Sequence, residues 1–216
     1  AVSTLHFPNE LDQISTARRR LALDEFVELQ QVLRRRRNNL QSKAMALPCA
    51  GDGSFTIPFL KQIGFHLTDS QRAVSMEIDG DLNGKHPMRR LLQGDVGSGK
   101  TIVAALAVLR VLESGFNGLI MAPTEILARQ HYNLATKVFK STDIDIKFLS
   151  GHSNLKEKKT IQKNLANGKI NFIIGTHALF QKNILFKNLG LIIIDEQHKF
   201  GVKQRIDLSD KGGKDC

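Results

Sequence analysis

Gly94-Asp95-Val96-Gly97-Ser98-Gly99-Lys100-Thr101 reads GDVGSGKT and fits the pattern G-x-x-x-x-G-K-[ST], in which a glycine-rich loop wraps phosphate oxygens with backbone N–H groups. Glycine suits that task because no Cβ stands between main chain and anion, and the helix that follows adds the positive end of its dipole. Lys100 is placed to meet the β- and γ-phosphates of a nucleotide, and Thr101 to hold Mg²⁺. The flanks supply the elements this geometry needs. Leu91-Leu92-Gln93 is a short apolar entry that reads as a strand, and residues 102–112, IVAALAVLRVL, form an apolar segment of helix length.

A phosphate loop needs a carboxylate to position its metal, and Leu191-Ile192-Ile193-Ile194-Asp195-Glu196 offers one. Four apolar, mostly β-branched residues predict a buried strand. The first carboxylate after it emerges at the C-terminal edge of the sheet, where ligands bind in parallel α/β folds. Asp195 would orient Mg²⁺ through water, and Glu196 would take a proton from the attacking water. Between the loop and this strand, strand-like stretches at 118–122, 144–149 and 171–175 alternate with helical ones at 125–140 and 155–166. Such alternation predicts an α/β domain, a P-loop fold with a mostly parallel sheet covered by helices on both faces and right-handed crossovers. Upstream, Thr68 is placed to cap a helix running through Gln71, Val74 and Ile78, which ends in the turn-rich stretch 80–87.

Farther upstream, residues 11–46 carry a helical pattern, with Ile14, Ala17, Leu21, Phe26, Leu29 and Leu33 at three- and four-residue steps and Asp12, Ser15 or Thr16 available as caps. Arg18-Arg19-Arg20 reads as a solvated or salt-bridged face, with Asp24 and Glu25 within reach. Arg34-Arg35-Arg36-Arg37 is the better candidate for phosphate contact, although four consecutive residues fan around a helix and cannot share one strand. Residues 47–54, LPCAGDGS, read as a linker. The expected organisation is a helical segment over 1–50 followed by the nucleotide-binding domain over 51–216.

With 31 Lys+Arg against 21 Asp+Glu, the formal net charge of +10 favours a polyanionic partner such as nucleic acid. The 216 residues, 41% of them hydrophobic, can build a sizeable core. Cys49 and Cys216 lie far apart with no C-x-x-C spacing, which predicts reduced thiols rather than a zinc site or a disulfide framework. No apolar run reaches the length of a membrane span and no signal-peptide layout opens the chain, so the expected compartment is the cytoplasm or nucleoid, with no membrane partner. Ala1 at the start and Lys211-Gly212-Gly213-Lys214-Asp215-Cys216 at the end suggest a fragment.

Taken together, Gly94 to Thr101, Ala122-Pro123-Thr124-Glu125, Gly175-Thr176-His177-Ala178 and Asp195-Glu196-Gln197-His198 resemble motifs I, Ia, Ib and II of a superfamily 2 helicase. More narrowly, the wording PMRRLLQ at 87–93, EILARQH at 125–131 and DEQHKFGV at 195–202 resembles the RecG family of bacterial ATP-dependent DNA helicases, as do LHFP at 5–8 and ARRRLA at 17–22. That resemblance implies a RecA-like first motor lobe using ATP and Mg²⁺ on branched DNA such as forks and Holliday junctions. It implies that Gln71 reads the adenine edge, with an aromatic such as Phe65 nearby, and that Gly94, Gly97, Ser98, Gly99, Lys100 and Thr101 hold the nucleotide. It further implies that Thr124, Glu125, Thr176 and His177 touch the DNA backbone, and that Gln197 and His198 couple hydrolysis to movement. Thr124 and Thr176 read equally well as ordinary turn residues. Lys199 stands where the family usually has arginine and loses bidentate geometry. The later motifs, second motor lobe and DNA-wedge domain of such helicases are not encoded here, so the chain alone is expected to hydrolyse ATP poorly. Three alternatives share the loop: the motor of a transcription-repair coupling factor, a nucleotide- or DNA-binding module without turnover, and a P-loop protein unrelated to nucleic acid, such as a small kinase.

Overall fold

The computed structural model describes residues 1–41, 45–140, 142–181, 183–209 and 211; Cys216 and the stretch around it lie outside the described residues. The chain divides into two units, Ala1–Ala44 and Met45–Cys216. In the first, a one-turn helix α1 (Val2–His6) precedes the long helix α2 (Leu11–Gln41). The Ser15 hydroxyl does not cap α2: it donates to the Asp12 carbonyl at 2.8 Å, inside the first turns. Arg20 pairs with Asp24 at 3.1 Å, the i,i+4 partner its spacing predicts. Of the apolar positions that mark the helix, Ala17 is buried, whereas Phe26, Leu29 and Leu33 are exposed. Periodicity identified the helix, but it carries no information about what covers its apolar side chains.

The second unit begins with α3 (Thr56–Gln62) and α4 (Asp69–Leu82). Thr68 caps α4 in a reciprocal box: its hydroxyl accepts from the Gln71 backbone N–H at 3.2 Å, and the Gln71 side-chain Oε1 accepts from the Thr68 N–H at 3.0 Å. After the phosphate loop come α5 (Lys100–Glu113), β1 (Asn117–Met121), α6 (Glu125–Val138), β2 (Ile146–Leu149), α7 (Leu155–Ala166), β3 (Phe172–Gly175), β4 (Leu189–Ile194) and α8 (Val202–Ser209), with 3₁₀ turns at His177–Phe180 and Gln197–Lys199. The four strands are all parallel in the order β2-β3-β1-β4. Strand side chains alternate between two faces. Ile120, Phe172 and Ile174 therefore join Leu106, Val108, Leu109 and Val111 of α5 and Ala128 and Ala135 of α6 in one core. Leu119, Met121 and Ile173 join Ile161 and Leu165 of α7 and Leu208 of α8 in the other. The expected sheet with helices on both faces is what forms.

One expected strand does not. Residues 91–93 run without a ladder partner; Leu91 is 66% exposed and Leu92 is only partly buried against the first core. Two adjacent leucines signal an extended segment, but joining a sheet takes a neighbour with free hydrogen-bonding groups. A second anchor was not visible at all. The Glu113 side chain, fully buried at the end of α5, accepts from the backbone N–H groups of Gly53, Phe55 and Thr56 at 3.1, 2.9 and 2.6 Å, while Ser114 Oγ accepts from Gly51 at 3.0 Å. Gly51 has φ +63°, and a Cβ there would collide with the Glu113 carboxylate and Arg110, so only glycine allows the approach. Arg110 also pairs with Asp79 of α4 at 3.2 Å. Nearby Cys49 is a free, buried thiol, its pKa pushed up to about 11 by burial.

Candidate active site

Only three residues link α5 to β1, so the helix must turn back along the sheet, which brings its N-terminus to the C-terminal edge of the strands. There the exits of the strands are tied side by side. Thr176 N–H donates to the Leu149 carbonyl (3.1 Å), Ala122 N–H to the Gly175 carbonyl (3.0 Å) and Asp195 N–H to the Met121 carbonyl (2.9 Å). This staircase fixes the loops after β2, β3, β1 and β4 in one row.

The phosphate loop opens on the N-terminus of α5. Gly99 caps the helix in the left-handed region, φ +84°, where an added Cβ would collide with the Gln71 amide; glycine is required on both counts. The backbone N–H groups of Gly97, Gly99, Lys100 and Thr101 find no acceptor among the described residues, which is the donor array an anion needs. Lys100 Nζ bends back onto the carbonyls of Gly94 (2.6 Å) and Asp95 (2.7 Å). Gln71 Nε2 donates to the Ser98 carbonyl at 2.9 Å, so one amide caps α4 and braces the loop together. Each end of that amide keeps one further hydrogen-bonding site, a proton and a lone pair, for a base edge. Phe65 is half exposed. Thr101 lies exposed in the first turn of α5.

Across the row, Asp195 follows β4 directly. Its Oδ1 accepts from the Glu196 N–H at 3.0 Å, and its Oδ2 accepts from His131 Nε2 of α6 at 2.8 Å. Glu196 has φ +48°, the one positive value outside glycine among the described residues, a strained conformation of the kind that marks reactive turns. Its half-exposed carboxylate lies 3.3 Å from His198 Nδ1. Gln197 opens the short 3₁₀ turn in which Phe200 N–H returns to its carbonyl.

The expected DNA contacts divide. Thr124 caps α6, its hydroxyl accepting from Leu127 N–H at 3.3 Å. The Glu125 carboxylate accepts from Arg129 at 2.9 Å and pairs with His152 Nδ1 at 2.8 Å. Those partners hold it below the usual carboxylate range, the His152 hydrogen bond foremost, and an ionised carboxylate repels phosphate. Thr176 is buried with its hydroxyl unpartnered, so what faces outward at that loop is His177, which is exposed. Sequence reading gave no role to His131 or His152. Their partners lie 64 and 27 residues away, beyond any local spacing rule.

The residues present fit a hard divalent cation held with a nucleotide. Thr101 and Asp195 are oxygen donors, and among the described residues no three His, Cys, Asp or Glu side chains converge on a metal-sized site. Mg²⁺ is held in this manner, by one or two protein oxygens plus phosphates and water.

The sequence signature of the DEAD/DEAH box helicases matches residues 68–213, most of the chain. The chain belongs to the DEAD/DEAH box helicase family. Helicases of this family use ATP, which agrees with the phosphate loop. The chain is 45% identical over 208 residues to the ATP-dependent DNA helicase RecG of Thermotoga maritima, covering 96% of this chain and 26% of that relative. It is 39% identical over 212 residues to RecG of Bacillus subtilis, covering 98% and 31%. A solved structure of RecG bound to a three-way DNA junction superposes with a TM-score of 0.80 at 43% identity, covering 92% of this chain and 27% of that one. The chain thus spans about a quarter to a third of the length of these relatives.

Proposed function

We propose that the chain is the ATP-binding first motor lobe of a RecG-type DNA helicase that remodels branched DNA such as stalled forks and Holliday junctions. The observation that carries this reading is the single row of loops, in which the phosphate cradle, Asp195-Glu196 and the exits of β1 and β3 share one edge of the sheet. Its similarity to RecG over nearly its whole length, including a RecG held on a three-way junction, supports the choice of branched DNA. Residues 1–50 then act as a helical linker and 51–216 as the lobe. Among the described residues no helix is long and apolar enough to cross a membrane, and we place the protein in the cytoplasm.

In this reading Lys100 leaves the Gly94 and Asp95 carbonyls to meet the β- and γ-phosphates, while the N–H groups of Gly97, Gly99, Lys100 and Thr101 hold the remaining oxygens. The Thr101 hydroxyl and Asp195 hold Mg²⁺, which when bound neutralises charge on the phosphate oxygens. Glu196 orients the attacking water and takes its proton. Gln71 reads the adenine. The loops of Thr124 and Thr176, with His177 at their surface, meet the sugar–phosphate backbone through N–H groups and the imidazole, contacts that position a strand without reading its sequence. Glu125 serves there as a brace. Gln197 and His198, directly after the acidic pair, transmit hydrolysis to that row. Full turnover draws on a second lobe and its arginine.

Phosphate release measured with and without forked DNA, for this chain and for the chain extended by a second lobe, tests the proposal. DNA stimulation of the extended protein is expected. Its absence there would refute the reading, and nucleotide binding without any turnover would favour a simple binding module.

A further inference from the structure

The geometry points to His131 as a positioning residue for Asp195. This inference rests on the reading of Asp195 as the carboxylate of the metal–nucleotide site.

The last torsion of an aspartate is soft and has no sharp preferred angle. The plane of the Asp195 carboxylate is therefore set by what its oxygens touch. The Asp195 main chain is pinned through its N–H to Met121, and Oδ1 takes the N–H of Glu196, its own neighbour. Only Oδ2 is held by a distant element. An ionised carboxylate has no proton to give, so His131 Nε2–H is the donor at 2.8 Å. Both oxygens keep lone pairs for water or metal.

His131 belongs to α6, six residues after Glu125, or about 9 Å along the helix axis. Its side chain is 19% exposed against 33% for Asp195, so the pair lies partly out of water, where a charge-assisted bond holds its geometry. The same helix starts at Thr124, the cap at the exit of β1. One rigid element therefore runs from the loop row to the oxygen of Asp195. An isolated packing histidine would need none of this. Imidazole at this distance and on this atom does the work of an outer-shell partner, which fixes the orientation of a metal-binding group and is worth 10- to 100-fold in metal affinity on the order of magnitude.

The test uses the chain as it is, with Mn²⁺ as a spectroscopic substitute for Mg²⁺. Free Mn²⁺ is read by electron paramagnetic resonance in the presence of ADP, ADP affinity is read separately in EDTA, and thermal midpoints are followed by circular dichroism. His131→Ala is expected to weaken Mn²⁺ binding about 10-fold while metal-free ADP binding stays unchanged. His131→Gln, which keeps an N–H donor of similar reach, should recover most of the loss. Asp195→Asn should lose at least as much as His131→Ala. If Asp195→Asn loses Mn²⁺ and His131→Ala stays within about twofold of the parent, the positioning role is overturned while the site reading stands. If neither variant loses Mn²⁺, Asp195 is not the metal carboxylate and the inference falls with it. If Ala and Gln lose Mn²⁺ equally, in step with equal drops in midpoint, His131 only packs and the inference is overturned.

Discussion

Glu113→Ala is the most informative single perturbation of the fold. In the parent, one carboxylate with no exposed surface serves three backbone N–H groups at 2.6–3.1 Å, and Arg110 lies 3.7 Å away. Hydrogen bonds to a charged group are worth about 1.5–3 kcal/mol each, which would sum to more than one side chain removes in practice. Two of the three donor residues, Phe55 and Thr56, are only partly buried, so their N–H groups can turn to water once the carboxylate is gone. Gly53 is buried and cannot. Counting one bond lost in full and the others in part gives about 3 kcal/mol, within the range for breaking a buried charged contact. For a domain of this size, that lowers the thermal midpoint by about 6–12 °C. Glu113→Gln keeps one acceptor oxygen but turns an NH₂ group toward donors, so about half the loss is expected, on the order of 1.5 kcal/mol. Urea and thermal unfolding followed by circular dichroism measure both. A Glu113→Ala variant within about 0.5 kcal/mol of the parent, the scatter of neutral surface substitutions, would show that residues 51–56 are not anchored by this carboxylate.

Three further outcomes are expected. Lys100→Ala should keep the parent's unfolding midpoint, since its ammonium contacts only loop carbonyls, and lose nucleotide affinity at least about 10-fold by fluorescent-nucleotide titration. Thr68→Ala removes one half of the cap on α4 and should cost about 1 kcal/mol in urea unfolding. The Glu125 carboxylate titrates below its unfolded value, so its stabilising contribution is complete above the ordinary glutamate range and lost as pH falls through the lowered value; Glu125→Gln should flatten that acid limb in a pH series of melting curves.

How much of this was readable from residues depends on distance along the chain. GDVGSGKT and the apolar run after it specified the loop, α5 and their order, because both signals are local. The strand before Asp195 was legible for the same reason, and Thr68 declared its cap through Gln71 three residues on. β1 was expected at 118–122 and spans Asn117–Met121, the one-residue uncertainty usual at strand ends. Residues 91–93 carried the apolar signature of a strand without the pairing that makes one. The contacts that hold the site were invisible for a simpler reason. Glu113 reaches backbone 57–60 residues upstream and His131 meets a carboxylate 64 residues downstream, and nothing in either neighbourhood names the partner. At Glu125 the resemblance implied a contact with the DNA backbone, while the partners that hold its carboxylate, Arg129 and His152, include one 27 residues away that no local signal names.

β4 is the outermost strand on its side of the described sheet, paired through β1 alone. The acidic pair thus hangs from a ribbon that is laced on one flank and open on the other. The open flank carries backbone donors and acceptors with no ladder, so its amides should exchange with solvent well ahead of those on β1, which is laced on both sides. Any extended segment that lays itself along that flank, from this polypeptide or from a neighbour, would slow that exchange and stiffen the footing of Asp195 and Glu196 in the same act. Left bare, the same flank is where two copies of the chain would stick to one another in a concentrated solution.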